Sequence, residues 1–173
     1  MKIKIRHENP GDYVEIKKVH DLAFNQPNEG LLVEKLRSNP EFIAELSLIV
    51  EVEGNIIGHI LFFPIWIYDE NSRHQSLALA PMSVLPKYQK IGIGSRLVVQ
   101  GLKIARELGY TSVIVVGHPT YYPKFGFVPA SQYGIKAPFD IADEAFMVLE
   151  LIPTGLTGIS GVVQYPGEFE EVD

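Results

Sequence analysis

The most informative stretch of the sequence spans residues 84–110 and reads VLPKYQKIGIGSRLVVQGLKIARELGY. It begins with an apolar segment that ends at a proline, and it passes through a loop with two glycines. From Ser95 onward, apolar residues recur at helical spacing up to Gly109, a typical helix stop. The first N–H groups of a helix are unpaired and carry the positive end of its dipole, so they attract phosphate groups. The stretch therefore predicts a strand, an anion-binding loop and an amphipathic helix.

The loop suits a phosphate group, but it does not match the common nucleotide-binding motifs. Gly92 and Gly94 let the backbone approach a ligand closely, because glycine has no Cβ. Lys90 adds positive charge, and Ser95 adds a hydroxyl group in the first turn of the helix. The P-loop pattern is absent, and the dinucleotide pattern G-x-G-x-x-G fails at Leu97. A Rossmann-like nucleotide binder is therefore disfavoured.

In the rest of the sequence, the patterns of apolar and turn residues predict strands and helices within a single domain, residues 1–173. Asp12 is expected to cap a helix that follows it, and residues 31–37 form a second helix after a polar loop at 24–30. Gly54 and Asn55 predict a hairpin turn between two β-rich runs. Pro81 lacks an N–H group, so its strand has an edge or a bulge there. Strands are expected at residues 1–6, 46–53, 56–68, 76–85, 112–116, 146–152 and 162–165. This order of elements is typical of an α+β (mixed α/β) fold.

Composition excludes several classes of function. The chain of 173 residues has 46% hydrophobic and 21% charged residues, which is typical of a soluble globular protein. Its formal net charge of −6 disfavours nucleic acid as a partner. The chain has no cysteine, and its five histidines lack ligand spacing, so no metal site is expected. The N-terminus lacks the apolar core of a signal peptide, and the longest apolar run is too short and interrupted to span a membrane. We expect a cytoplasmic protein.

The loop and its surroundings resemble the GNAT superfamily of acyl-CoA-dependent N-acetyltransferases. The hexapeptide QKIGIG at residues 89–94 matches the pyrophosphate loop of that family, Q/R-x-x-G-x-G/A. The preceding Val84-Leu85-Pro86 and the later YPKFGF at residues 122–127 match its other motifs, in the same order. The resemblance covers about residues 3–152, with residues 153–173 as a tail, and it is strongest to a subgroup of uncharacterised predicted bacterial acetyltransferases. It implies a twisted mixed sheet of about six to seven strands, about four helices and a splayed cofactor slot.

The resemblance implies acetyl-CoA as the cofactor. The backbone of the strand before the loop is expected to hold the pantetheine arm, and the N–H groups of the loop are expected to hold the pyrophosphate. Pro81 fits a bulge that opens the slot. The cofactor-binding residues predicted in this way are Met82, Ser83, Val84, Gln89, Lys90, Ile91, Gly92, Ile93, Gly94 and Ser95.

The implied reaction is direct attack of a primary amine on the thioester in a ternary complex. A base must remove a proton from the amine, a backbone N–H must stabilise the thioester oxygen, and an acid must serve the departing sulfur. Tyr122 matches the family position of that acid. His118, at the end of a buried strand, is the candidate base; alternatives are a water chain or Glu51, Glu53 or His59 on the hairpin.

The acceptor is expected to be an amine of a small molecule or peptide, in a pocket lined by Phe24, Phe63 and Trp66. A wider slot would permit transfer of a longer acyl group. The alternative of a different class is a regulatory module that binds CoA or acyl-CoA without turnover. A homodimer is compatible with the sequence.

Overall fold

The computed structural model of the protein describes residues 1–172. In chain order, the strands are β1 (Ile3–His7), β2 (Ser47–Val52), β3 (Asn55–Tyr68), β4 (Arg73–Val84), β5 (Ser112–Val116), β6 (Val128–Pro129), β7 (Ile135–Lys136), β8 (Phe146–Glu150) and β9 (Gly161–Gln164). The helices are α1 (Tyr13–Phe24), α2 (Asn28–Arg37), α3 (Ile93–Glu107) and α4 (Glu168–Glu171).

The chain groups into two compact units. The first unit contains Met1–Phe63, Ala80–Ile104 and the segment that begins at Gly167. The second unit contains Pro64–Leu79 and Ala105–Pro166. The first part of β3 and the last part of β4 therefore belong to the first unit, and the remaining part of each strand belongs to the second unit.

In the first unit, helices α1 and α2 cover one face of the sheet. Strands β1, β2 and β3 are antiparallel neighbours, and β4 follows β3 in the strand order. Alternation along β3 points Leu61 and Phe63 toward the same face. Their side chains enter a buried cluster with apolar residues of β2, α1 and α2: Ile16, Leu32, Val33, Leu36 and Ile49.

The opposite face of the same sheet packs against α3. A Cβ added at Gly101 of α3 would lie 2.1 Å from Cε1 of Phe62, so the helix and the strand meet without room for a methyl group. A Cβ added at Gly58 of β3 would lie 3.4 Å from Cδ1 of Leu97 in α3, an ordinary contact distance, and 2.7 Å from Cγ1 of Val50. Since β3 is covered on both faces, its sequence is an almost continuous apolar run rather than an alternation.

The second unit combines parallel and antiparallel pairs. The first half of β4 is parallel to β5 at Leu77–Val113 and Ala78–Ile114, and β5 is antiparallel to β8. The end of β3 pairs with β9, which in turn is parallel to β7. Together with the helices, these mixed pairings confirm the α+β (mixed α/β) fold. The nine strands among the described residues exceed the expected six to seven because β6 and β7 have only two residues each.

Several boundaries differ from the sequence predictions for local reasons. The hairpin turn lies one residue earlier than predicted: Glu53 and Gly54 both have positive φ, and Asn55 already belongs to β3. Helix α2 begins at Asn28, so the polar loop is shorter than expected. Asp12 precedes α1 but makes no side-chain cap. Its carboxylate instead accepts hydrogen bonds from the Asn9 N–H and from Arg6, both at 2.7 Å.

The close approach of α3 to β3 generates a prediction about Gly101→Ala. In an exposed helix this change stabilises by about 1 kcal/mol, but overpacking a filled core costs about 1–3 kcal/mol. We expect the free energy of unfolding, measured with urea, to fall by about 1 kcal/mol, with a larger loss for Gly101→Val. Val99→Ala, on the exposed side of α3, is the control and should not destabilise. A Gly101→Ala protein more stable than the wild type would contradict the packing described.

Candidate functional site

The loop before α3 presents exposed backbone at the start of a long helix. Pro86–Tyr88 form a 3-10 turn, and α3 begins at Ile93, two residues before the predicted start. Residues 89–92 are exposed, whereas Ile93 is buried and anchors the first turn in the core. The first turn of α3 is thus fixed by the buried Ile93 side chain, while the loop before it faces solvent.

Two backbone features shape this loop. Lys90 and Gly92 have φ of +64° and +89°, in the left-handed region, which turns the chain sharply into the helix. A Cβ added at Gly92 would have no atom within 4 Å, so the space next to this residue is open. The Gln89 side chain donates a hydrogen bond to the Val84 carbonyl at 2.9 Å and ties the loop back to the end of β4.

The last three residues of β4 differ in their exposure. Met82 is half-buried, whereas Ser83 and Val84 are buried. Just beyond them, the Leu85 N–H donates to the Ile57 carbonyl at 2.8 Å, so this end of β4 remains attached to β3. The Ser83 hydroxyl points toward α1, where it lies 2.7 Å from Nδ1 of His20.

That contact opens a buried chain of polar side chains within the first unit. Nε2 of His20 lies 2.8 Å from Nδ1 of His59, and Nε2 of His59 lies 2.7 Å from the Ser47 hydroxyl. Ser47 donates a short hydrogen bond to the carboxylate of Glu8. Arg37 closes the chain, because its Nε and Nη2 donate to the two oxygens of Glu8 at 2.7 and 3.2 Å. Both histidines are fully buried.

The charge states along this chain follow from its surroundings. Burial alone raises the pKa of the Glu8 carboxyl, but its polar partners, led by His59 and followed by Arg37, outweigh burial and lower the pKa to about 2. Burial, then the charges of His59 and Arg37, lowers the pKa of His20 well below its usual value. Burial also lowers the pKa of His59, although Glu8 opposes that shift. At neutral pH, Glu8 is therefore ionised and both histidines are neutral.

In the second unit, Tyr122 begins the 3-10 turn Tyr122–Phe125 and is buried. Its ring lies edge-on to Phe127, with centroids 5.7 Å apart. A Cβ added at Gly117 would lie 2.3 Å from the Tyr122 ring, so this glycine is needed for the ring position. Burial raises the pKa of the Tyr122 phenol to about 12, and Tyr121 adds to the shift. The hydroxyl is therefore a proton donor over the whole physiological range.

The candidate bases have unequal surroundings. His118 is exposed, and its carbonyl accepts hydrogen bonds from the N–H groups of Tyr121 and Tyr122, as expected of a turn residue. Glu51 accepts a hydrogen bond from Arg6 at 3.3 Å, and Glu53 is an exposed turn residue. His59 belongs to the buried chain.

The three aromatic residues predicted to line an acceptor pocket lie in different surroundings. Phe24, at the end of α1, is 40% exposed and stacks on the His20 ring with centroids 6.2 Å apart. Phe63 is fully buried in the cluster between the sheet and the two helices. Trp66, in the second unit, is half-buried, with the Arg73 guanidinium 4.1 Å above its ring.

Sequence patterns missed most of the buried chain. Glu8, His20, Ser47 and Arg37 belong to different elements, and hydrogen-bonded partners such as His20 and His59 are 39 residues apart. The available signal was a polar residue inside an apolar run, such as His59 in β3, because a buried polar group requires a partner. Such a residue indicates that a hydrogen-bond partner exists, but it does not show which residue the partner is.

Two further findings concern residues 1–172. No helix in this part of the chain is long and apolar enough to cross a membrane. The same residues contain no group of three or more His, Cys, Asp or Glu side chains arranged to hold a metal ion.

Comparisons with known proteins agree on one family. The family model described as "Acetyltransferase (GNAT) family" matches residues 15–127. An uncharacterized N-acetyltransferase of Escherichia coli K12, YjhQ, is 38% identical over 134 residues, which cover 77% of this chain and 74% of that protein. A second one from the same strain, YhbS, is 32% identical over 165 residues, which cover 95% of this chain and 97% of that protein.

Two solved structures are similar over nearly the whole chain. The crystal structure of Escherichia coli YhbS in complex with CoA has a TM-score of 0.90 and 30% identity, and the match covers 98% of this chain and 93% of that one. The crystal structure of a GNAT family acetyltransferase from Brucella melitensis in complex with acetyl-CoA has a TM-score of 0.79 and 31% identity, with 97% and 98% covered.

The buried chain generates a prediction about acid stability. Because the pKa of Glu8 falls from 4.5 to about 2 on folding, its ionisation stabilises the protein above pH 4.5, and this contribution is lost as the pH falls toward 2. We expect Glu8→Gln to lower the free energy of unfolding at pH 7 by about 3 kcal/mol, with a gap to the wild type that narrows below pH 4.5. Urea titrations at several pH values measure both effects.

The exposed Glu45→Gln is the matched control and should change neither quantity. A gap between Glu8→Gln and the wild type that is the same at pH 7 and pH 3 would contradict this account of Glu8.

Proposed function

The chain belongs to the GNAT family of acetyltransferases, and we propose that it transfers the acetyl group of acetyl-CoA to a primary amine of a small molecule or peptide. The observation that carries the proposal is the exposed backbone of residues 89–92 at the start of α3. The names of the two curated relatives, both N-acetyltransferases, favour nitrogen as the acceptor atom. Cytoplasmic location and a homodimer stay predictions from the sequence.

We assign the cofactor to two segments of the first unit. The backbone of residues 89–95 would bind the pyrophosphate, because the dipole at the start of α3 and its N–H groups favour an anion. The open space next to Gly92 supports this assignment, since a phosphate must approach the backbone closely. The backbone of Met82, Ser83 and Val84 would hold the pantetheine arm, and an N–H there would stabilise the thioester oxygen. The parallel pairing of β4 with β5 involves Leu77 and Ala78 of β4, which precede Met82 in the chain.

The chemistry assigned to the remaining residues is proton transfer. The amine nitrogen attacks the thioester carbon, the C–N bond forms and the C–S bond breaks. Tyr122 is the proposed acid for the departing thiolate, since its buried phenol stays protonated at neutral pH. His118, an exposed turn residue, stays a candidate for the base beside the alternatives on the hairpin.

The acceptor pocket is assigned to aromatic side chains that remain accessible. Phe24 and Trp66 keep exposed surface, so either can contact an acceptor. Phe63 is fully buried in the core of the first unit, and we assign it a packing role instead.

The proposal is tested by measuring cofactor binding and turnover, with one pair of variants for comparison. Gly92 and Gly109 both have positive φ and open space around them, but they lie at opposite ends of α3. We expect acetyl-CoA at one hundred times its Kd to stabilise the wild type by about 2.7 kcal/mol in a thermal-shift assay. Gly92→Trp should abolish this shift because the indole fills the pyrophosphate position, whereas Gly109→Trp should keep it.

Thiol release from acetyl-CoA with polyamines, lysine peptides and aminoglycosides then identifies the acceptor class. Stabilisation by acetyl-CoA without thiol release would favour the non-catalytic CoA-binding module. An unchanged melting temperature with saturating CoA would end both interpretations.

The role of Tyr122 is tested by Tyr122→Phe. Loss of the phenolic proton should lower kcat about 100-fold, because the thiolate then leaves without a proton donor. The thermal shift with acetyl-CoA should stay the same, since the hydroxyl acts on the transition state. Tyr121→Phe is the matched control with the adjacent tyrosine. If Tyr121→Phe shows the loss and Tyr122→Phe does not, the two roles are exchanged.

A further inference from the structure

We propose that the buried chain of Ser83, His20, His59, Ser47 and Glu8 is a proton relay that removes the proton from the acceptor amine. Ser83 is the residue that contacts the amine, and the two histidines act through it. The inference rests on the proposed function, which places the thioester at the segment that contains Ser83. It identifies the general base, for which the sequence analysis named several candidates.

The charge of Glu8 sets the direction of the hydrogen bonds along the relay. Ionised Glu8 only accepts hydrogen bonds, so the Ser47 hydroxyl must donate to it. The Ser47 oxygen then accepts from His59, which must carry its proton on Nε2.

A neutral His59 therefore accepts at Nδ1, and His20 must donate to it from Nε2. His20 in turn accepts at Nδ1 from the Ser83 hydroxyl. Every donor in the chain thus points from Ser83 toward Glu8.

This direction allows one proton to enter at Ser83. The Ser83 oxygen takes a proton from the ammonium group of the acceptor while its own proton moves to Nδ1 of His20. The proton on Nε2 of His20 moves to Nδ1 of His59. One N–H bond of the ammonium is broken, and His59 gains one proton and becomes the imidazolium.

The proton is held opposite a counter-charge. Nε2 of His59 lies 3.7 Å from Oε1 of Glu8, so protonation of His59 creates a buried ion pair. Arg37 is the opposing cation on Glu8, and it limits how strongly the proton is retained. A weakly held proton can return along the same path to water after the product leaves.

The neutral amine then reacts as described above. As the thioester C–S bond breaks, the sulfur leaves as the thiol, and the proton that it takes up is balanced by the one that the nitrogen loses as the amide forms. The overall reaction thus releases one proton, which is the proton that the relay carries.

Burial sets how the chain could hold a proton. Both histidines are fully buried and neutral, so each has one ring nitrogen without a proton. Because burial disfavours the imidazolium, a proton on the chain is held only briefly. Ser83 is 6% exposed as a residue, and the ring of its partner His20 stacks on Phe24, which the proposed function places in the acceptor pocket.

Two nucleophiles separate a relay from a purely structural chain. n-Butylamine is protonated at neutral pH and needs a base, whereas hydroxylamine is neutral and does not. Thiol release from acetyl-CoA is measured with each nucleophile for the wild type, His20→Gln and Ser83→Ala. We expect kcat/KM for n-butylamine to fall about 100-fold in both variants. The loss of rate with hydroxylamine should be much smaller, because this nucleophile needs no base.

The pH profile provides a second readout. Without the relay, only amine that is already neutral in solution reacts, so the variant rate with n-butylamine should rise about tenfold per pH unit. The wild-type profile should be flatter. Ser83→Thr keeps the hydroxyl and should restore both the rate and the profile, and it serves if His20→Gln fails to fold. The exposed His7→Gln is the matched histidine control.

Three outcomes would overturn the relay while the proposed function stands. They are an equal loss with both nucleophiles, no loss with either, and ¹⁵N NMR signals that place a proton on Nδ1 of His20 or His59 at neutral pH. A wild-type protein that binds acetyl-CoA but releases no thiol with any amine would instead remove the proposed function, and the relay with it.

Discussion

A single buried carboxylate, that of Glu8, organises the polar interior of the first unit. A buried charge is costly unless its acceptor sites are filled, and here Arg37 and Ser47 fill them. Through Arg37 the carboxylate holds α2, and through Ser47 it holds β2. The two histidines extend the same network to β3, α1 and β4. The positions of five elements therefore depend on polar matching as well as on apolar packing.

Apolar packing sets the remaining geometry of this unit. Strand β3 is covered by α1 and α2 on one face and by α3 on the other. The contact between Gly101 and Phe62 brings α3 close to the sheet, and buried Ile93 anchors its first turn. The loop before α3 is exposed next to this anchored turn, as the proposed binding site for a diphosphate requires.

Burial shifts the pKa of the buried imidazoles and of the buried phenol in opposite directions. It lowers the pKa of His20 and His59, so these side chains are neutral at neutral pH and each keeps one ring nitrogen without a proton. It raises the pKa of Tyr122 to about 12, so the phenol is also neutral. The same physical effect, the cost of charge in a poorly solvated site, keeps all three side chains uncharged.

Features that depend on neighbouring residues could be predicted from the sequence. The β2–β3 hairpin, helix α3 with its glycine loop, the turn at Tyr122 and the family all follow from short-range patterns. Which polar groups meet depends on the packing of distant elements. Glu8, His20, His59 and Ser83 lie far apart in the chain, and no periodicity links them. The tertiary packing also placed Phe63 in the core rather than at a surface. Local conformation follows from local sequence, whereas the partner of a buried polar group depends on how distant elements pack.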